Sequence, residues 1–187
     1  MSLLKNEYKF FFGMEPRQVD LWMINIFSLL MGIVLAFFVP IISEHTSLLQ
    51  KVIIILLAWD DLGGIMANLT RSTNNYHLSN ARVRLVFYSL HILQPFIIFL
   101  SFDVSLSVFL YTWLYPVLSS ILIVEFIKED YKKVWAGILW VTGIITYMYV
   151  IQVPIYLMWF GITFFTKLIL SYSINYYPVQ RSGERNE

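Results

Sequence analysis

The chain has no cysteine among its 187 residues, which excludes disulfides, thiolate nucleophiles and cysteine-bound metals. Charge is scarce too: 13% of residues are charged and 58% are hydrophobic, where a soluble domain carries about 25% and about 45–50%. A water-soluble core has no place for that excess of apolar surface. The formal net charge of +1 argues against a nucleic-acid partner, which would need a basic face to neutralise phosphates. Alternating apolar and polar residues, the mark of membrane barrel strands, are missing as well. The first apolar stretch begins near Val19, too late and too long for a cleaved signal peptide.

What is present is a series of apolar runs: Val19 to Ile42, Val52 to Ala67, Leu85 to Phe102, Ser105 to Val124, Val134 to Val150 and Pro154 to Ser171. Each is near the length of about 20 residues that a helix needs to cross a bilayer, the second being short. The expected fold is all-α, a polytopic membrane helix bundle of about six transmembrane helices. Residues 1–18 form a cytoplasmic or interfacial segment, 19–172 the membrane domain and 173–187 a cytoplasmic tail. Within the first of these, Ser2 to Arg17 mixes aromatic and charged residues, as a segment lying on the inner leaflet does. The polar tail after Pro178 reads as disordered.

Lys and Arg positions set the expected orientation. Lys5, Lys9 and Arg17, then Arg71, Arg82 and Arg84, then Lys128, Lys132 and Lys133, then Arg181 and Arg185 all fall on one side; Lys51 alone falls on the other. Both ends are therefore expected in the cytoplasm of a multi-pass protein of the cell membrane. Lys167 lies inside the sixth run near its inner end, from which its amine is expected to snorkel to the interface. Short outer connections around Asp103 and around Gln152 and Pro154 imply two helical hairpins. The longest polar loop is expected over Asn68 to Arg82, whose amides, hydroxyls and guanidinium groups suit anionic lipid head groups.

Two adjacent carboxylates, Asp60 and Asp61, stand in the middle of the second run. A charge at bilayer depth costs several kcal/mol, so such residues face a bundle interior and are paired or protonated. One of the two should hold its proton unless a cation or a basic side chain sits between them. At 100° per residue Asp61, Gly64 and Asn68 share an arc of about 60°, and Gly63 and Gly64 admit close approach of a helix or ligand. In the third run Arg84, Tyr88 and His91 share a face. Asp60, Asp61 and His91 should lie about 10 Å deep, with Asn25 and Lys167 at comparable depth. The candidate ligand-binding residues are thus Asp61, Asn68, His91, Arg84, Asn25 and Lys167. Asp60, Asp61 and His91 are the candidates for proton transfer, and Asp60 and Asp61 for a metal of the magnesium or manganese kind.

No motif assigns a family. Asp60-Asp61-Leu62-Gly63-Gly64 does not meet the D-x-x-D-G pattern of CDP-alcohol phosphotransferases, and the paired glutamates of membrane CAAX-type proteases are missing. In size and expected topology alone the chain resembles the vitamin-binding subunits of energy-coupling transporters. The outer halves of the runs carry almost nothing ionisable, which argues against a permanent pore. The expected function is binding or transport of a small solute, proton or cation at a cytosol-facing polar site. A membrane enzyme acting on a lipid or isoprenoid, and a structural or regulatory subunit, are the alternatives.

Overall fold

The computed structural model describes residue 13, residues 16–79 and residues 81–177. Most of the expected interfacial segment and the tail after Pro178 lie outside the described residues. Within them every regular element is helical, with no strand. Four stretches are long and apolar enough to cross a membrane: Gln18–Phe38, Ala81–Ser101, Leu106–Phe126 and Ile155–Tyr172; a fifth appears if Leu48–Asn68 and the helix after it count as one bent span. Leu48–Asn68 contains Lys51, Asp60 and Asp61, and Glu129–Tyr149 opens on Glu129, Asp130, Lys132 and Lys133, which lowers the apolarity of both.

Helix α1 (Gln18–Phe38) starts after Arg17, whose guanidinium pairs with Asp20 in the first turn at 3.0 Å. It stops at Val39 because the next residue is Pro40, which disfavours helical backbone before it and instead opens the short α2 (Pro40–Ser43) at its first position. Helix α3 (Leu48–Asn68) is longer than the apolar run it contains. Ser47 and Gln50 form a capping box, side chain to backbone in both directions, and so add a turn ahead of Val52.

The segment expected as a polar loop is instead a helix, α4 (Arg71–Ser79), set at 87° to α3. Thr70 caps it by accepting from the Thr73 amide at 3.4 Å. Asn74 then ties it to the chain end, donating to the Ile174 carbonyl at 2.9 Å and accepting from the Tyr176 amide at 3.1 Å. Asn, Ser and Thr have low intrinsic helix propensity, but these caps and distant bonds outweigh it.

The third apolar run is broken into α5 (Ala81–Leu90) and α6 (Leu93–Ser101), with the turn at His91 and Ile92. Pro95 has no N–H to return to the His91 carbonyl four residues back, which locates the break. Helix α7 (Leu106–Ile121) keeps Pro116 in its interior and widens into a π-helical turn over Leu122–Phe126. Helix α8 (Glu129–Tyr149) follows, with two acids in its first turn where the helix dipole favours them. A 3-10 turn (Ile155–Leu157), α9 (Met158–Phe165) and a π-helical stretch (Thr166–Tyr172) form the last run. Asp103 and Gln152 adopt left-handed backbone, φ 49° and 56°, in the two tight connections that the sequence placed there.

The last run is the hub. Buried residues make up 56% of it against 22% of the most apolar stretch of α1, and it packs against α3, α7 and α8. Phe160, Phe164, Phe165 and Leu168 fill the apolar core together with Tyr147 and Ile54. Tyr115 and Tyr111 stitch α7 to α8 by donating to the carbonyls of Leu139 and Gly143. By contrast α1 lies against α3 through small residues, with Ser28, Gly32 and Ala36 buried one turn apart. Where lipid tails are as apolar as side chains, such close van der Waals contact is what holds helices together.

This interface is testable at Gly32, where a Cβ would stand 3.0 Å from the Ile55 carbonyl oxygen and 3.4 Å from the Ala58 methyl. Gly32→Leu should lower stability by about 1–3 kcal/mol, as overpacking does, read as a lower melting temperature in detergent. Gly137→Ala is the control: nothing lies within 4 Å of a Cβ there, and the melt should hold or rise slightly. Equal melting of the two variants would refute the close packing of α1 on α3.

Candidate functional site

Helix α3 and the last run face each other through three polar rungs. On the last run Thr163, Lys167 and Ser171 follow at four-residue spacing and therefore share a face. Opposite them α3 presents Asp61, Asp60 and Asn68. In the middle rung Lys167 Nζ donates to Asp60 Oδ2 at 2.7 Å and lies 3.5 Å from Asp61 Oδ1. In the rung nearest the chain end Asn68 Nδ2 reaches Ser171 Oγ at 3.4 Å, while that hydroxyl donates to the Lys167 carbonyl. In the third, Thr163 Oγ1 stands 3.4 Å from Asp61 Oδ2, its one proton contested by the Trp159 and Phe160 carbonyls at 3.0 Å.

The expectation that Lys167 snorkels is overturned, since its side chain is 4% exposed. Two carboxylates give the ammonium a partner inside the bundle, and Gly64 lets its stem pass: a Cβ at that position would overlap the Lys167 methylenes. The basic side chain that two adjacent aspartates require is thus supplied from 107 residues away in the chain. The three charges are unequal in access. Asp61 is sealed at 0% exposure and Lys167 nearly so, whereas the Asp60 side chain is 36% exposed.

Asp60 opens on a cavity of about 440 Å³ bounded by Ile24 and Asn25 of α1, by Leu56, Trp59, Gly63, Gly64 and Asn68 of α3, and by His77, Phe87, His91 and Lys167. Five of the expected site residues, Asn25, Asp60, Asn68, His91 and Lys167, therefore share one wall system, with Asp61 directly behind it. Asn25 is spent on packing: its amide donates to the Leu21 carbonyl and its oxygen accepts from the Trp59 indole at 3.1 Å, which holds that ring in place. His91 Nδ1 bonds the Phe87 carbonyl at 2.6 Å. A carbonyl only accepts, so the proton is on Nδ1, and the buried Nε2 is left with no hydrogen-bond partner among the described residues. Gln94, not anticipated as a site residue, donates to Asp60 Oδ2 at 2.7 Å. It stands three residues after His91, just past the turn, and reaches α3 through this bond.

Arg84 is not part of this cavity. Its guanidinium forks onto Glu125 at 2.7 and 3.2 Å and donates to the Leu78 carbonyl, pinning the start of α5 to the turn after α7. Although Arg84 and His91 lie along the same stretch, Ala81–Ser101, the guanidinium reaches Glu125 and not the cavity. A larger cleft of about 650 Å³ runs along the outside of α1 among Val19, Trp22, Met23, Ile26 and Phe27, with Asp20 and Thr70 at its edge. It brings together no set of reactive groups. Among the described residues no three of His, Asp and Glu gather as metal ligands; beside Asp60 and Asp61 the position of a cation is taken by Lys167.

The chain matches no family model, no curated protein and no solved structure. The chemistry of the site is therefore the available guide. A cavity of this volume is within the range of about 300–1,000 Å³ that small ligands occupy, with apolar walls and few polar groups. It offers one partly exposed carboxylate backed by a sealed ion pair, and one imidazole nitrogen.

Lys167→Met leaves the sealed Asp61 and the partly exposed Asp60 without a counter-charge and should cost up to about 3–5 kcal/mol, the penalty of breaking a buried pair, less the screening that Asp60's exposure allows. The triple variant Asp60→Asn, Asp61→Asn, Lys167→Met, which removes all three charges, should recover most of that loss. Thermal melting in detergent reads both; a Lys167→Met protein as stable as the parent would show that the ammonium is not the partner of the aspartates.

Proposed function

We propose that the chain is a multi-pass protein of the cell membrane with about six spans and both ends in the cytoplasm, and that it binds a small solute in the Asp60 cavity as part of transporting it. The observation that carries this reading is the asymmetry of the charged group: Asp60 is open to the cavity while Lys167, on the same wall, is nearly buried and Asp61 is sealed behind it. An ion pair that served packing alone would have no use for a cavity of about 440 Å³ at its exposed member. An enzyme acting on lipid would want its arginines free for a head group, and Arg84 is held by Glu125.

The six-span arrangement follows from the positive side of the chain together with α4, which at 87° to α3 suits a helix lying along the inner leaflet. Glu129–Tyr149 and Leu48–Asn68, each 21 residues long, are the further spans; their charges lie at an end or in the Lys167 group. In transport the Asp60–Lys167–Asp61 group is the element whose charge a solute or proton changes. Moving either one past the apolar far halves of the helices then requires the bundle to rearrange.

The absence of cysteine makes topology directly testable, because any single introduced thiol is unique. Asp103→Cys and Gln152→Cys should react with a membrane-impermeant maleimide on intact cells, whereas Arg82→Cys and Lys133→Cys should react only after permeabilisation. The opposite pattern would invert the proposed orientation. For the binding role, native mass spectrometry of the purified protein should find a small co-purifying mass that Asp60→Asn and His91→Gln lose. No bound mass in the parent, together with variants that only melt earlier, would favour a purely structural role for the charged group.

A further inference from the structure

Beside Asp60 three side-chain acceptors lack a donor among the described residues. Both bonds that Asp60 receives, from Lys167 and Gln94, land on Oδ2, so Oδ1 of this partly exposed carboxylate receives none among the described residues. His91 Nε2 and Gln94 Oε1 are buried with no hydrogen-bond partner among the described residues, whereas Asp61 Oδ1 is held in its ion pair with Lys167. The Gln94 assignment is fixed by chemistry, since an ionised carboxylate only accepts and the amide must turn its NH2 toward it. His91, 5% exposed, is a wall of the cavity itself and contributes a directional lone pair. Two carboxylates against one ammonium also leave the group one positive charge short when all three are ionised.

We infer that the ligand of this cavity is an organic ammonium ion, a primary or secondary amine in its protonated form on an apolar body, bound by N–H donation to Asp60 Oδ1 and His91 Nε2. The inference rests on the reading of the cavity as a solute site and narrows it to a chemical class. An ammonium brings both missing elements, a positive charge and donors, where a carboxylate would meet Asp60 head on. A bare metal ion would lack a third carboxylate or imidazole among the described residues. The rest of the wall suits the body of such a ligand: Ile24, Leu56 and Phe87 are apolar, and the Trp59 ring, fixed by Asn25, lines the same cavity.

The test uses four compounds of nearly the same shape on the full-length protein in lipid nanodiscs: phenethylammonium, its N,N,N-trimethyl derivative, 2-phenylethanol and 3-phenylpropionate. Binding is read by thermal shift and by tryptophan fluorescence, with Trp59→Phe identifying the responding ring. Phenethylammonium should raise the melting temperature and saturate, and the trimethyl derivative, which has no N–H, should bind about tenfold more weakly. Asp60→Asn should weaken phenethylammonium by at least about tenfold, and His91→Phe by less. The comparison among compounds on the parent protein needs no variant to fold. Should phenylethanol or phenylpropionate bind as well as the amine in an Asp60-dependent way, the ammonium assignment falls and the solute cavity stands. Should none of the four bind, both fall.

Discussion

An ammonium held between two carboxylates inside an apolar bundle sets the height and rotation of α3 against the last run. Each of the three charges costs about 2.5–3.5 kcal/mol at the centre of a spanning helix on insertion scales. At an effective dielectric near 20, one ion pair at contact distance returns about 5–6 kcal/mol, and the two pairs are offset in part by repulsion between the aspartates. Gain and cost are of one size, so the group adds little net stability. What it adds is discrimination: a slip of one residue between the helices would separate Lys167 from Asp60 and leave the charges exposed to hydrocarbon. The outer rungs, Asn68 with Ser171 and Asp61 beside Thr163, repeat the same register at lower stakes.

That constraint divides the labour of α3 between two interfaces. One face meets the last run through polar rungs, and the other meets α1 through Ser28, Gly32 and Ala36 without a charged contact. Glycine serves both: Gly63 lies against Ser28 of α1, and Gly64 against the Lys167 stem. Because the two glycines are adjacent, one short segment of α3 admits close neighbours on two sides. The cavity opens where these neighbours diverge, with Asp60 on its wall. The third run completes it at its break, where the His91 imidazole lines the cavity and Gln94 donates to Asp60.

Composition and periodicity made the helical class legible, and the adjacent aspartates pointed to the right place on α3. The same arithmetic applied to Thr163, Lys167 and Ser171 would have exposed the facing stripe; it was hidden because each residue, taken singly, has an ordinary explanation near a helix end. Lys167 in particular has a default behaviour, snorkelling, that holds only when nothing inside can pair with it. Helix α4 was illegible for a different reason. Its sequence of Arg, Ser, Thr and Asn has neither periodicity nor propensity to announce a helix, and what stabilises it, the Asn74 bonds to Ile174 and Tyr176, joins positions about 100 residues apart. The Ser28, Gly32 and Ala36 stripe was visible in the letters but passes for ordinary apolar helix unless small residues are counted by fours.

The placement of α4 bears on how the cavity is reached. His77, on α4, is one of its walls, and the His77 ring packs edge-on against Phe87 at 5.2 Å and Tyr172 at 5.6 Å. On that side buried polar residues continue past Asn68 to Thr73 and Asn74, the last of which donates to the Ile174 carbonyl. On the opposite side α3 offers Ile54 and Leu57, and the last run offers Leu157 and Phe160, all within the apolar core. Buried polar residues therefore continue from the cavity toward α4, and in the other direction closely packed hydrocarbon begins. The segment that reads as a loop in the sequence thus supplies a wall of the cavity, held in place by ring contacts with Phe87 and Tyr172.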